Sequence, residues 1–263
     1  MLSAAQIADV HKYLQGKPCY PTTGYHRVKR ENLQSTSFED VKSWSHYACY
    51  SFPDLIGAPH LLELANSPDI LRLAAEYLGC SPTIYTLRLW WSFPRDTPSK
   101  ITQRFHRDPQ DEGLVLYVYL TDVEERSGPH AFVEGSHDSE IFLRMLRACG
   151  VFDDDNARKF HTATHLGDGY ALPLNDLLPR VVPEAIRTFT GPAGTSFIDD
   201  VHGLHTGRLP VDRPRLMFSA RYSAGRTTAY DNNGWWPQRI DWAGRIPDTA
   251  EARAANELII DFS

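Results

Sequence analysis

From residue 83 onward the chain contains several short runs typical of β-strands, and this pattern constrains the fold more than any other feature. The runs read, in chain order, TIYTLRLWWSF, GLVLYVYLTDV, HAFVEGS, RTFTGPAGTSFID, HGLHTGRL and PRLMFSARYSA. They are rich in β-branched and aromatic residues, and turn-forming residues separate them. Short strands joined by turns in this way indicate a mainly β fold, either a sandwich or a double-sheet jelly roll.

Two helices are predicted before the strands begin. Ser3 and Gln6 form a capping-box pattern, and Ile7, Val10 and Leu14 follow at helical spacing. The sequence SPDILRLAAEYLG indicates a second helix, because proline suits the first helical turn and glycine suits the position after the last. We expect these helices to flank the sheets and to support them.

The composition does not change along the chain, so we expect a single domain over residues 1–263. Its helical N-terminal part would cover about 1–80, and the jelly-roll core about 81–225. Residues 17–58 show no regular pattern and are expected to be irregular. Residues 152–180 are polar, contain proline and glycine, and are predicted to form a long insertion.

Charge and cysteine content exclude some classes of protein. The 27 basic and 33 acidic residues give a net charge of -6, which argues against a nucleic-acid-binding surface. No apolar run approaches the roughly 18 residues of a membrane span. The four cysteines form no CxxC pair and follow no secretory signal, so they are predicted to be reduced. These features predict a cytoplasmic protein that binds neither nucleic acid nor membrane.

The segment QRFHRD carries the first candidate metal ligands. In an extended segment, residues i and i+2 point to the same side, so His106 and Asp108 can bind one ion together. An HxD tripeptide also occurs by chance. With one further histidine, however, it would form the set of two histidines and one carboxylate that suits non-haem iron(II) with open coordination positions.

A later segment, DVHGLHTGRLPVDRPR, offers that further histidine and an arginine. His202 and His205 are alternatives for the third ligand. Arg213 precedes the next strand-like run and Arg215 opens it, and a turn between the two runs would return either arginine toward the metal. An arginine there can hold a carboxylate through a bidentate, charge-assisted pair, as a dicarboxylate cosubstrate requires.

The sequence resembles the phytanoyl-CoA dioxygenase family of 2-oxoglutarate-dependent oxygenases. The resemblance rests on HRD, EERSGPHAFVEGSH, DVHGLHTGRLPVDRPR and the helix ending LAAEYLGC, and it covers roughly residues 60–225. It implies a double-stranded β-helix, the cupin-like jelly roll. It further implies Fe(II) bound by His106, Asp108 and His205, with 2-oxoglutarate held by Arg215. His205 fits the family's H-x-G pattern, although the usual asparagine after the histidine is missing.

The resemblance also implies the reaction. With O2 and 2-oxoglutarate, such enzymes oxidise an unactivated carbon of a small molecule and release succinate and CO2. The carboxylate of Asp108 favours hydroxylation, since related halogenases lack it. Gln103 occupies a position where relatives often have a polar residue that contacts the cosubstrate.

Other residues receive structural interpretations, and two other functions remain open. Gly135-Ser136-His137 is interpreted as a structural turn, and Tyr117 and Tyr119 as core residues. The alternatives are a non-catalytic jelly roll that binds a small ligand, and a zinc hydrolase that uses the same three ligands.

Overall fold

The computed structural model describes residues 1–21, 35–95, 104–108, 113–150, 176–225, 240–241 and 244–262. Its helices are α1 (Ala4–Leu14), α2 (Phe38–Trp44), α3 (Phe52–Gly57), α4 (Leu61–Ala65), α5 (Pro68–Leu78), α6 (Ser139–Ala148) and α7 (Ala250–Asn256). Its strands are β1 (Tyr20–Pro21), β2 (Tyr47–Cys49), β3 (Thr83–Ser92), β4 (Gly113–Tyr119), β5 (His130–Val133), β6 (Ile186–Phe189), β7 (Ser196–Asp200), β8 (His205–Gly207), β9 (Arg215–Ser223), β10 (Ile240–Asp241) and β11 (Ile260–Asp261).

The first predicted helix is confirmed as α1, with the predicted cap. The Ser3 side chain accepts a hydrogen bond from the Gln6 backbone, and the Gln6 side chain accepts one from the Ser3 backbone. Ile7, Val10 and Leu14 are buried along one face of the helix. The cap satisfies two backbone donors at the helix start, and the apolar face then anchors α1 to the core.

The second predicted helix is confirmed as α5. Pro68 lies in its first turn, and Gly79 follows its last residue with φ of 71°, a left-handed conformation that suits glycine. Ala74 is buried on the side that faces the core. The helix therefore begins at the predicted proline and ends before the predicted glycine.

The expectation of irregular structure over residues 17–58 is wrong. This region contains α2 and α3, as well as the two short strands β1 and β2. Ser37 and Ser51 cap the two helices by accepting hydrogen bonds from backbone N–H groups. The helices have only 7 and 6 residues, too few for a periodic apolar pattern. Helices this short depend on tertiary packing, which a single sequence does not reveal.

Two antiparallel sheets form the centre of the fold and confirm the jelly-roll prediction. The larger sheet has the strand order β1-β2-β3-β9-β4-β7, and the smaller has the order β6-β5-β8. Strands distant in sequence are neighbours in both sheets, as expected for a double-stranded β-helix rather than a simple meander. The protein is mainly β with flanking helices.

Strand β9 illustrates how the larger sheet separates two apolar layers. Leu216, Phe218, Ala220 and Tyr222 belong to the core that also contains the buried faces of the helices. Met217 instead packs with aromatic residues between the two sheets. Because side chains alternate along a strand, the other odd-numbered residues of β9 face the same interior as Met217. Both arginines of this strand therefore lie on the inner face.

Other sequence predictions have mixed outcomes. All four cysteines are free thiols. The segment SEIFLRMLRACG forms helix α6. Most of the predicted insertion, up to residue 175, lies outside the described residues, whereas 176–181 are helical. Among the helices that the structure describes, none combines the length and the apolar character needed to cross a bilayer.

Candidate metal centre

Backbone pairing brings His106 and His205 together. The two residues form an isolated antiparallel bridge, in which each backbone N–H donates to the other's carbonyl at 2.9 Å. The two rings consequently lie side by side, with centroids 4.3 Å apart. A residue of the HRD segment and the first residue of β8, ninety-nine positions apart in the chain, thus become neighbours.

Asp108 completes a compact group of three buried side chains. Its backbone N–H donates to the Val201 carbonyl at 3.0 Å, which fixes the extended HRD segment against the turn before β8. Its Oδ1 lies 3.6 Å from His106 Nε2 and 3.9 Å from His205 Nε2. One ligand atom from each residue lies within 4.8 Å of the other two. The predicted i, i+2 convergence of His106 and Asp108 is therefore present.

Hydrogen bonds to backbone carbonyls set the tautomers of both histidines. His106 Nδ1 is 2.8 Å from the Arg104 carbonyl, and His205 Nδ1 is 3.0 Å from the Gly203 carbonyl. A carbonyl can only accept, so each Nδ1 carries the proton and each Nε2 keeps a lone pair. The lone pairs lie on the same side as Asp108 Oδ1, and such carbonyl contacts orient histidines that bind metals.

Electrostatics favour the protonation states that metal binding needs. Burial, together with the neighbouring His205, lowers the pKa of His106 to about 3, so this ring is neutral near pH 7. Burial raises the pKa of Asp108, but Arg221 and the two histidines outweigh burial and hold it below its ordinary value. Two imidazoles that each offer Nε2, together with one carboxylate, are a donor set that iron(II) and other divalent ions accept.

Of the two candidate histidines, only His205 reaches this group. His202 lies in the turn between β7 and β8, where its backbone N–H donates to Asp200 Oδ1 at 2.8 Å. Its carbonyl accepts a hydrogen bond from Arg107 Nε. These contacts give His202 a place in the turn that supports β8, outside the three-residue group.

The two candidate arginines also differ in position. Arg213 is largely exposed and lies 3.7 Å from Glu124. Arg215 is 2% exposed, and its Nη2 donates to Ser92 Oγ at 3.2 Å. Its Nε and Nη1 have no acceptor among the residues that the structure describes. Arg215 is therefore a buried cation with unused donors on the inner face of β9.

The remaining predicted residues fall into three groups. Gln103 lies outside the described residues. Tyr117 and Tyr119 are buried between the sheets, in agreement with their interpretation as core. The Gly135-Ser136-His137 turn leaves His137 exposed. Within it, the Ser136 hydroxyl donates to a carbonyl of its own turn at 2.6 Å and accepts from the Leu204 N–H at 2.6 Å. This turn therefore supports the residue before His205.

Two further features escaped the sequence analysis. Arg221 Nη1 lies 2.6 Å from Asp108 Oδ2. His130, buried beside His205 with ring centroids 5.7 Å apart, places Nε2 at 2.6 Å from Asp199 Oδ2. A charged residue in an otherwise apolar strand was a usable signal for Arg221, because it shares the period-two face of Arg215. The partner of His130 depends on the pairing of distant strands and carries no local signal.

Comparisons with known proteins show the fold. HygX from Streptomyces hygroscopicus, crystallised with nickel and 2-oxoglutarate, superposes with a TM-score of 0.51 at 12% identity, over 97% of this chain and 87% of that chain. The epimerase SnoN, in complex with Fe3+, alpha ketoglutarate and nogalamycin RO, gives a TM-score of 0.50 at 19% identity, over 84% and 75%. No family model and no curated protein sequence matches the chain. The family resemblance stays a prediction, whereas the architecture is that of these two solved structures.

Proposed function

We propose that this chain is an Fe(II)- and 2-oxoglutarate-dependent oxygenase. In this proposal His106, Asp108 and His205 bind the iron, and Arg215 binds the distal carboxylate of 2-oxoglutarate. The observation that carries the proposal is the burial of Arg215 with two unused donor nitrogens, on the same inner face of β9 from which Arg221 contacts Asp108.

The three metal ligands fit iron(II) on their own chemistry. Each histidine offers Nε2, because its Nδ1 is committed to a backbone carbonyl. Asp108 offers Oδ1, the oxygen that faces both histidines. Two histidines and one carboxylate leave coordination positions open for a cosubstrate and for O2.

Arg215 fits the other end of a dicarboxylate. Burying a cation without a counter-ion costs several kcal/mol unless the cation gains a partner. The described residues supply a serine hydroxyl and nearby tyrosines, but they supply no carboxylate contact. A bound carboxylate would accept from the unused Nε and Nη1 in the fork geometry that guanidinium groups favour.

The reaction that we propose is hydroxylation of an unactivated carbon of a small-molecule metabolite or natural-product intermediate. The bound iron, with O2 and 2-oxoglutarate, supplies oxidation of that carbon coupled to release of succinate and CO2. The chain orients both carboxylates of the cosubstrate, and the apolar layer between the sheets limits access of water. We also propose one domain over the whole chain and a cytoplasmic location, both from the sequence.

The two alternative functions, a zinc hydrolase and a non-catalytic jelly roll, explain fewer features of the site. A zinc hydrolase would use the same three ligands but would leave the buried Arg215 unexplained. A non-catalytic jelly roll would explain neither the fixed histidine tautomers nor the ionised Asp108. A small-molecule substrate agrees with the presence of nogalamycin RO in the SnoN complex.

The test is anaerobic titration of the apo-protein with Fe(II) and 2-oxoglutarate, followed by visible spectroscopy. We expect the weak charge-transfer band of a 2-oxo acid chelated to iron(II) in the wild type and in His202→Ala, and no band in His205→Ala. The His202 variant is the matched control, because it changes the alternative histidine three residues away. Absence of the band from wild type with bound iron would contradict the proposal, and survival of the band in His205→Ala would contradict the ligand assignment.

A further inference from the structure

We propose that Arg221, supported by Tyr85, is a positioning residue that fixes the carboxylate of Asp108 so that Oδ1 faces the metal. The inference rests on the metal site of the proposed function and adds two residues to it. Neither residue is one of the three proposed metal ligands, and neither is Arg215, the proposed cosubstrate-binding residue. Both act through Asp108 rather than by contact with the metal.

The first observation is that the two carboxylate oxygens of Asp108 have different neighbours. Oδ1 lies 3.6 and 3.9 Å from the Nε2 atoms of His106 and His205. Oδ2 lies 2.6 Å from Arg221 Nη1. The Arg221 contact is therefore an ion pair between a buried guanidinium and a buried carboxylate. Because the pair is almost fully buried, solvent does not screen it as it would screen a surface pair.

The second observation is a β-bulge in the strand beside Arg221. In the β3–β9 ladder, Ile84 is opposite Tyr222 and Thr86 is opposite Arg221, so Tyr85 is an extra residue without a partner. A bulge redirects a side chain, and bulges are frequent beside functional sites. Tyr85 is 1% exposed, and its hydroxyl interacts with the Arg221 guanidinium through a hydrogen bond. The bulge therefore places the Tyr85 hydroxyl against the Arg221 guanidinium.

The third observation is the position of Gly113 beside the tyrosine hydroxyl. Gly113 begins β4, opposite Ser223 of β9. A Cβ built on Gly113 would lie 3.6 Å from the Tyr85 hydroxyl oxygen and 3.3 Å from the Tyr222 carbonyl oxygen. The first distance is an ordinary contact and the second is a tight one, so a side chain at this position would press first on the backbone of β9. The chain from Tyr85 through Arg221 to Asp108 is thus built by three neighbouring strands and the HRD segment.

The arrangement has a chemical consequence for the metal site. A carboxylate that rotates freely can present either oxygen, or both, and can occupy a position that the cosubstrate or O2 needs. The Arg221 pair removes that freedom before any metal arrives. Groups that orient a ligand in this way affect metal affinity by about 10- to 100-fold. Arg221 and Tyr85 should therefore affect metal binding even when no cosubstrate is present.

The experiment measures binding of Mn(II) alone, from the electron paramagnetic resonance signal of the free ion, and the visible spectrum of the Co(II)-loaded protein. The variants are Arg221→Met, Arg221→Lys and Tyr85→Phe. The matched control is Tyr222→Phe, since Tyr222 follows Arg221 directly but donates its buried hydroxyl to the Ala65 carbonyl on the helix side of the sheet, at 2.8 Å. Tyr85→Phe and Tyr222→Phe each remove one buried hydroxyl, so we expect similar losses in melting temperature.

We expect the Mn(II) dissociation constant to rise about 10- to 100-fold in Arg221→Met. It should rise by less in Arg221→Lys and in Tyr85→Phe, and should not change in Tyr222→Phe. The Co(II) spectrum should change in Arg221→Met and keep its wild-type form in the control. If Arg221→Met does not fold, Arg221→Lys and Tyr85→Phe still decide the matter.

Two negative outcomes have different meanings. Wild-type affinity for Mn(II) and a wild-type Co(II) spectrum in all the Arg221 and Tyr85 variants would overturn the positioning role and leave the proposed function intact. Failure of the wild-type protein itself to bind Mn(II) would overturn the metal site, and the positioning role with it.

Discussion

The two ends of strand β9 each carry a buried arginine, and the two arginines have opposite surroundings. Arg221 forms an ion pair with Asp108, 2.6 Å from Oδ2. Arg215, at the other end of the same face, contacts the Ser92 hydroxyl and has two donor nitrogens without an acceptor among the described residues. Arg221 already has its anion inside the protein, whereas Arg215 has the properties of a site for an anion that comes from outside.

The largest expected effect is on the stability of the apo-protein. Arg221→Met leaves Asp108 buried without its counter-ion and should lower the free energy of unfolding by about 3–5 kcal/mol. Arg215→Met removes a buried cation that has no counter-ion among the described residues, and should be neutral or stabilising by about 1 kcal/mol. Urea unfolding of both variants measures the difference. Equal destabilisation by the two changes would show that Arg215 has a structural partner, and would break the comparison.

The next effect is a pH dependence of the free energy of unfolding. It arises at the Arg221 end of β9, where His106, Asp108 and His205 lie. The unfolded His106 binds a proton near its ordinary pKa of 6.5, whereas the folded side chain does so only near about 3. Stability is therefore lost as the pH falls from 6.5 toward 3. At pH 5 the loss that this residue causes is about 2 kcal/mol. Burial also lowers the pKa of His130, which acts in the same direction.

Urea unfolding of chelator-treated protein at pH 7 and pH 5 checks this dependence. The loss should persist in Arg215→Met and should be smaller in His106→Ala. Stability that does not change between the two pH values would mean that the buried histidines accept protons in the folded protein, contrary to their surroundings.

The smallest effect concerns the Arg215 end. Ser92→Ala removes the hydroxyl that accepts from Arg215 Nη2, so the guanidinium loses one orienting contact. A lost hydrogen bond of this kind is worth about 1 kcal/mol, which corresponds to a roughly fivefold weaker binding of 2-oxoglutarate to the Fe(II)-loaded protein. Anaerobic titration measures the change. Ser196→Ala is the control, because its hydroxyl donates to the Gly194 carbonyl at 3.0 Å, away from Arg215.

The geometry of the candidate site is predictable from the sequence where the signal is local. The relation between His106 and Asp108 follows from the period of an extended chain, and the helix caps of α1 and α5 follow from nearest neighbours. The choice between His202 and His205 depends on which residue pairs with the HRD segment. That pairing joins residues far apart in the chain, so the spacing alone left both histidines open.

The contact between Arg221 and Asp108 also depends on residues that are far apart in the chain. Its position on the inner face of β9 follows from the alternation of strand residues, but its partner Asp108 lies on a different segment. The bulge at Tyr85 is a property of two strands in register and has no signature in the sequence TIYTLRLWWSF. The short helices α2 and α3 escaped for a related reason, because packing rather than periodicity stabilises them.

The most direct test of the central claim, that Arg215 receives the distal carboxylate of 2-oxoglutarate, compares two ligands in two proteins. One ligand is 2-oxoglutarate, and the other is 2-oxopentanoate, which has the same chain length without the distal carboxylate. Anaerobic titration of the Fe(II)-loaded wild type should show a preference for 2-oxoglutarate of about 100-fold, the value of roughly 3 kcal/mol for charge-assisted hydrogen bonds. In Arg215→Met the preference should nearly vanish, with 2-oxopentanoate binding little changed. A preference that survives in Arg215→Met would contradict the account.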